Sequence, residues 1–378
     1  MISVFLFIFL SYGVLIVSLA IGVTKVAHFR APNSQAKNTF SVVIPFRNEA
    51  KHLGPLLQSI QEISYPKELM EFLFVDDAST DSSAAIITKF CLEHNSETDK
   101  HLHLLKNHRA SNSPKKDAIS TAIGQAKNDW IMTTDADCLL PINWIKIMDH
   151  FIQTQQPKMV VAPVNYSVEA GFLSRFQALD FLSLQASTMG GFGIKKPFLS
   201  NGANLTYEKA SFLQVNGFEE NNHIASGDDL FIFEKFMRLD PSCVQFLKSK
   251  QAIVTTLPVN TTKELIHQRV RWAAKAGNSN LWFSKFVGLL VFATNLLVVA
   301  AFFLCLFQQL SVLHLAGLFV FKGCIDLILV SKSLAFFKQK KLLSAYFISS
   351  LCYPFFTVFI VLTSWVSNYQ WKGRAFKK

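Results

Sequence analysis

Carboxylates at the ends of apolar runs are the residues in this chain best placed to do chemistry. Asp76 and Asp77 close the run FLFV, with Ser79 and Asp81 just beyond. Aspartates there can accept hydrogen bonds from a base N–H or a ribose hydroxyl. Two adjacent like charges cost stability unless something uses them, whereas Ser79 and Asp81 read as a turn residue and a helix cap. Asp135-Ala136-Asp137 closes the run WIMTT. Carboxylates at i and i+2 project to one side of an extended segment. Such a pair suits a hard divalent cation that keeps substrate phosphate oxygens in its shell. Gly227-Asp228-Asp229 precedes the apolar-patterned helix LFIFEKF. Asp228 suits a helix cap, which leaves Asp229 as a general base on a hydroxyl; the reverse assignment stays open.

Gln268, Arg271 and Trp272 follow an i, i+3, i+4 spacing and share one face of a helix. Arginine binds phosphate as a fork, and an indole offers a flat apolar surface to a sugar ring. The same helix is basic and precedes an apolar span, so it also reads as interfacial. Both roles fit if Arg269 and Lys275 face the interface while Arg271 and Trp272 turn inward. Lys115 and Lys116 precede the helical stretch DAISTAIGQA. A basic side chain there could meet a diphosphate, and a solvated lysine pair explains them equally well. Asn201-Gly202-Ala203-Asn204 is a turn in which glycine would let the backbone approach a ligand. Residues 171–194, with only Arg175 and Asp180 charged, read as core, with an acceptor-facing or interfacial helix as the second reading.

These groups must be positioned by a scaffold, and residues 40–262 supply the pattern for one. The runs TFSVVIPF, EFLFVDD, HLHLL and WIMTTDAD alternate with helical stretches that reach Ile63 or begin near Asp81, Lys115 and Pro141. Strands alternating with helices predict an α/β domain with a mostly parallel sheet covered on both faces. Ligands of such sheets bind beyond the C-terminal strand ends, where the acidic clusters lie. No G-x-G-x-x-G and no G-x-x-x-x-G-K-[ST] occurs. Dinucleotide oxidoreduction and P-loop phosphoryl transfer therefore lack their usual signatures.

The ends of the chain belong to a different solvent. Residues 1–24 carry no charge, and Lys25, Arg30 and Lys37 follow them. That order predicts an uncleaved transmembrane anchor with the next domain in the cytoplasm. Further spans are expected at 286–307 and near 311–331, with Lys322 and Asp326 at i,i+4 neutralising each other. Residues 342–371 form a third uncharged run between Lys338, Lys340, Lys341 and Lys372, Arg374, Lys377, Lys378. Pro354 lies mid-run, so a re-entrant hairpin with both basic clusters cytoplasmic is expected, with a plain transmembrane helix as its close rival. The domains expected are an anchor at 1–24, a linker at 25–39, the α/β domain at 40–262, an interfacial helix at 263–284 and a membrane region at 285–378.

Composition narrows the classes. Half of the 378 residues are hydrophobic and 17% are charged, too apolar for a disordered chain or an ordinary soluble domain. The net charge of +11 gathers largely beside the apolar spans, which argues against nucleic acid as a partner. The six cysteines form no C-x-x-C pair and read as buried small hydrophobes in a reducing compartment.

Taken in order, IPFRNE, VDDAS, TTDAD, GDD and QRVRW resemble the motifs of the membrane-bound, inverting family 2 glycosyltransferases of GT-A fold. The resemblance covers roughly residues 40–275. Its last motif is similar to the Q-x-x-R-W of processive β-glycosyltransferases and of the ceramide glucosyltransferase type. The resemblance implies Glu49 with Asp76 or Asp77 near the nucleoside, and Asp135 and Asp137 at the diphosphate with Mg2+ or Mn2+. It implies Asp229 as base, and Gln268, Arg271 and Trp272 at the acceptor and diphosphate end. The acidic motif reads Asp-Asp rather than Glu-Asp, which weakens the role of Asp228 more than that of Asp229. Where the family has Gly-Lys, this chain has Pro114-Lys115, and Lys115 is carried over on that basis.

The resemblance further implies a nucleotide-sugar donor, a UDP-sugar foremost, and a lipid or glycan acceptor. It implies a bacterial inner (cytoplasmic) membrane with the catalytic domain in the cytoplasm. One anchor and two or three C-terminal spans favour single-sugar transfer to a membrane lipid. A processive polysaccharide synthase is the alternative enzyme, and an inactive GT-A membrane scaffold the alternative class.

Overall fold

Strands buried on both faces read as unbroken apolar runs, and the computed structural model forms its central strands from such runs. It describes the chain except residues 1, 32–33, 97–99, 221–223, 225, 367–368, 372–373 and 377–378. The chain begins with α1 (Ile2–Lys25), β1 (Phe40–Phe46), α2 (Leu53–Gln61), β2 (Met70–Asp76), α3 (Ser83–His94) and β3 (Leu102–Lys106). There follow α4 (Pro114–Gln125), β4 (Trp130–Thr133), α5 (Trp144–Gln155), β5 (Met159–Val161), β6 (Val164–Tyr166) and α6 (Phe172–Gly193). Next are β7 (Leu205–Glu208), α7 (Lys209–Gln214), α8 (Asp228–Leu239), β8 (Val244–Phe246), β9 (Val254–Thr256) and α9 (Thr262–Gly277). The last are α10 (Trp282–Leu306), α11 (Val312–Phe336), α12 (Leu343–Val366), β10 (Tyr369–Trp371) and β11 (Arg374–Phe376).

These elements fall into two units: a sheet unit of Ala27–Tyr166 and Ser200–Leu257, and a helical unit of Met1–Val26, Ser167–Leu199 and Pro258–Lys378. The stretch expected as one domain, 40–262, is thus divided, because residues 167–199 and 258–262 pack in the helical unit.

The sheet unit is built on seven strands in the order β3-β2-β1-β4-β7-β5-β8. The pairs β3–β2, β2–β1, β1–β4 and β5–β8 are parallel, and β7 runs antiparallel to both neighbours. The mostly parallel sheet expected from the sequence is therefore present. Phe40, Val42, Val43 and Ile44 on β1 and Phe72, Phe74 and Val75 on β2 are wholly buried. Helix α4 packs on β1 and β2, and α3 on β3. With β1, β2 and β4 side by side and parallel, their C-terminal ends open at one edge, and the loops there carry Glu49, Asp76, Asp77, Asp135 and Asp137.

Among the described residues, the helical unit contains four helices long and apolar enough to cross a membrane: Phe5–Lys25, Trp282–Leu306, Val312–Phe336 and Lys340–Val366. Helix α1 packs on α6, α10 and α11. Its crossing with α6 brings backbone against backbone. A methyl group at Gly22 would collide with the Gly190 carbonyl, and one at Gly193 with the carbonyl of Gly22. Small residues permit such close helix approach where lipid offers no hydrophobic drive. The Lys322 ammonium donates to Asp326 at 2.6 Å, as the spacing suggests, and the Tyr12 hydroxyl donates to the same carboxylate from α1.

The hairpin expected at Pro354 does not form. Helix α12 runs unbroken through the proline, so the rival single helix is the observed one. Proline removes one backbone donor, a loss that packed neighbouring helices tolerate; Pro354 is buried, and α12 packs against α6, α9, α10 and α11. Of the basic residues expected beyond this helix, Lys372, Lys377 and Lys378 lie outside the described residues.

Candidate active site

Three carboxylates and one ammonium meet in the sheet unit. Lys115, in the first turn of α4, places Nζ 2.7 Å from Asp135 Oδ1 and 3.1 Å from Asp228 Oδ2. Burial alone would push this ammonium down, but Asp135 and Asp228 beside it hold it above the usual lysine range. The solvated-pair reading of the two lysines is therefore overturned. Lys115 is 17% exposed in its side chain, and Lys116 is buried, donating to the Ile224 carbonyl at 3.0 Å and lying over the Phe231 ring. Only a partner that compensates desolvation makes a buried lysine tolerable.

Asp228 does not cap its helix as expected. Gly227, at φ +88°, takes the cap position, a left-handed conformation that suits glycine. Asp228 becomes the first helical residue and is free to turn toward Lys115. Asp229 is buried; its carboxylate accepts from the Leu230 N–H at 2.7 Å and the Gly202 N–H at 3.3 Å. Gly202 is tied to the end of β4, where the Thr133 hydroxyl donates to its carbonyl at 2.8 Å. A Cβ at Gly202 would stand 2.9 Å from Asp228 Oδ2, so only glycine leaves the two aspartates their room. The close approach expected of this glycine is thus made to the acidic pair.

Asp135 and Asp137 are not on an extended segment. Strand β4 ends at Thr133, and Asp135–Cys138 form a turn closed by the Cys138 N–H on the Asp135 carbonyl at 3.2 Å. The extended-strand argument for their common side fails for that reason. Both remain partly open to solvent, with the Asp135 side chain 39% exposed. Among the described residues no group of three or more His, Cys, Asp or Glu side chains is arranged to hold a metal ion. A Mg2+ or Mn2+ ion at Asp135 and Asp137 would therefore take most of its shell from phosphate and water. That donor set fits these cations, which commonly bind through one or two carboxylates plus substrate phosphates.

The loops after β1 and β2 are laced together. The Asn48 N–H donates to Ser79 Oγ at 3.1 Å, and the Thr80 N–H to Asn48 Oδ1 at 2.8 Å. Both loops carry left-handed residues, Asn48 at φ +53° and Ala78 at φ +56°. Strain of this kind gathers where a loop must hold a particular shape. Asp76 accepts from the Ser79 N–H at 2.9 Å and stays half-buried. Asp77 is buried and accepts from Asn107 Nδ2 at 2.7 Å and Arg109 Nη1 at 3.3 Å. Glu49 is buried, its carboxylate 2.8 Å from His52 Nδ1 and its N–H on Ser83 Oγ. Asp81 accepts from the Ser83 and Ala50 N–H groups, but the cap of α3 expected of it falls to Ser82, one residue later. Asn107 and Arg109 were not legible in the sequence: they follow β3 in a loop whose only signal is polarity.

Gln268, Arg271 and Trp272 lie on α9 in the helical unit. Here Arg269 does not take the place expected of it. Arg269, assigned to the interface, is the buried one; its Nε donates to Asp180 Oδ2 at 2.6 Å. Its guanidinium stacks 4.1 Å over the Trp272 ring, while Arg271 and Trp272 are half-buried. Arg269 and Trp272 are also i,i+3 neighbours, so spacing alone could not separate the two arginines. The decisive partner, Asp180, sits on α6, which forms over Phe172–Gly193 as the core helix expected there.

Known proteins resemble this chain in sequence and in fold. Residues 41–209 match the model of the family described as Glycosyl transferase family 2. Poly-beta-1,6-N-acetyl-D-glucosamine synthase of Staphylococcus epidermidis is 22% identical over 238 residues, 62% of this chain and 53% of that protein. The poly(ribitol-phosphate) beta-N-acetylglucosaminyltransferase TarS of Staphylococcus aureus is 31% identical over 98 residues, 26% of this chain and 16% of that protein. The matches thus span about half of the one relative and about a sixth of the other. A solved structure, the mannosyltransferase PcManGT from Pyrobaculum calidifontis with GDP-Man and Mn2+, aligns with a TM-score of 0.57 at 15% identity, covering 95% of this chain and 96% of that one. The fold is GT-A-like, and the family 2 match covers residues 41–209, under half of the chain. Together the matches support a glycosyltransferase.

Proposed function

We propose that this chain transfers a sugar from a nucleotide-sugar, a UDP-sugar foremost, to a hydroxyl of a membrane lipid, with inversion at the anomeric carbon. The observation that carries the reading is the meeting of Lys115 and Asp135, both within the residues that match family 2, with Asp228 and Asp229 in the sheet unit. Asp76, the more open of its pair, receives the nucleoside, while Asp77 fixes the loop that carries Asn107 and Arg109. Glu49 holds the facing loop through His52 and Ser83. Asp135 and Asp137 would hold Mg2+ or Mn2+, which when bound supplies positive charge against the leaving diphosphate. Lys115 adds its own positive charge there.

Asp229 removes the acceptor proton as the acceptor oxygen attacks from the face opposite the diphosphate. The two backbone N–H groups on its carboxylate fix its orientation. Asp228 holds Lys115 in place. Gln268, Arg271 and Trp272 serve the acceptor and diphosphate end. Four helices able to cross a membrane suit a lipid acceptor, and we assign the chain to a bacterial inner membrane with the sheet unit in the cytoplasm.

A processive polysaccharide synthase is the second reading, favoured by the 238-residue similarity to the poly-N-acetylglucosamine synthase. Purified chain, Mn2+ or Mg2+, labelled sugar nucleotides and a total lipid extract separate the two. One sugar on a lipid supports the proposal, a polymer supports the second reading, and no product with any donor rejects both.

A further inference from the structure

Within the helical unit, one buried side chain touches two of the three residues given an acceptor role above. Arg269 Nη1 donates to the Gln268 carboxamide, and the guanidinium carbon lies over the Trp272 ring, 4.1 Å from its centroid. Its Nε is held by Asp180 on α6. Phe181, the next residue on α6, brings its ring 6.2 Å from that of Trp272. The side chains of Arg269 and Asp180 are 6% and 8% exposed. A buried ion pair adds little net stability, because desolvation offsets attraction. Its geometric value is larger, since a guanidinium is planar and fixes what it stacks on and what it forks to.

We propose that Arg269, held by Asp180, is a positioning residue that orients Gln268 and Trp272 for the acceptor sugar. The inference rests on the acceptor role assigned above to Gln268 and Trp272. With one indole face covered by the guanidinium, the acceptor ring meets the remaining face and edge. Loss of the fork frees both the carboxamide and the indole without removing either.

The test uses the full chain in lipid nanodiscs, with Arg269→Lys and Asp180→Asn as the variants. Arg269→Lys keeps the charge and loses the plane; Asp180→Asn keeps the shape and loses the charge, and serves if the first variant does not fold. The Trp272 emission is isolated by subtracting the spectrum of the same protein carrying Trp272→Phe. Each variant is expected to shift that emission and lower kcat about tenfold or more, leaving the donor KM within about twofold. Unchanged Trp272 emission, or unchanged kcat, overturns the proposal, as does a loss confined to donor KM. If the unaltered chain transfers no sugar at all, the proposed function fails, and the emission measurement still decides whether Arg269 positions the indole.

Discussion

Two charged clusters, one in each unit, differ in how completely they are closed. Around Lys115, Asp135, Asp228 and Asp229 share one ammonium, and the Asp135 side chain is 39% exposed. Around Arg269, one carboxylate faces one guanidinium, both nearly sealed, with an indole stacked on top. The first has acceptor capacity left for a ligand. The second is matched in charge, and Arg269 donates to Asp180 and to Gln268. A cluster with surplus charge at strand ends is where a substrate and a cation can still bind; a balanced one fixes geometry.

Breaking the open cluster should cost the most. Asp229→Asn is expected to lower turnover by roughly 10²–10⁴-fold while UDP binding persists, the range for loss of a general base; kinetics together with calorimetric titration of UDP check it. Lys115→Ala should lower kcat/KM by about 10²-fold through loss of positive charge at the diphosphate. Its neighbour sharpens the contrast. Lys116→Met keeps an apolar stem over Phe231, gives up the bond to Ile224, and should cost about 1 kcal/mol of stability with turnover little changed.

In the helical unit, Gly22→Leu forces α1 off α6 and should lower the thermal midpoint in detergent, at a cost of about 1–3 kcal/mol from overpacking. The smallest effect is expected at Ala78. Glycine relieves the left-handed strain there, worth roughly 1 kcal/mol before the chain-entropy loss, so Ala78→Gly should leave the midpoint unchanged or slightly raised.

Much of the sheet unit was legible because apolar runs ending in acids say both "buried strand" and "open strand end". TFSVVIPF and EFLFVDD each became strands, and the two pair in parallel, as a mostly parallel sheet requires. What the sequence hid depends on partners far along the chain. Helix α6 interrupts the sheet unit in sequence yet packs with α1 and α11, and the close Gly22–Gly190 approach to α1 is visible only in the fold. The choice between Arg269 and Arg271 hangs on Asp180, 89 positions away. The capping of α8 passed to Gly227 because a left-handed glycine starts the helix one residue earlier than an aspartate cap would. Pro354 was over-weighted: one missing donor breaks a lone helix more readily than one packed among others.

The central claim is that the open cluster binds the donor diphosphate through a cation held by Asp135 and Asp137. Calorimetric titration of UDP into the full chain, with and without Mn2+, tests it most directly when repeated on Asp135→Asn and Asp137→Asn. The account predicts Mn2+-dependent UDP binding that weakens strongly in both variants. Binding that is indifferent to Mn2+ and unchanged by either substitution would contradict it.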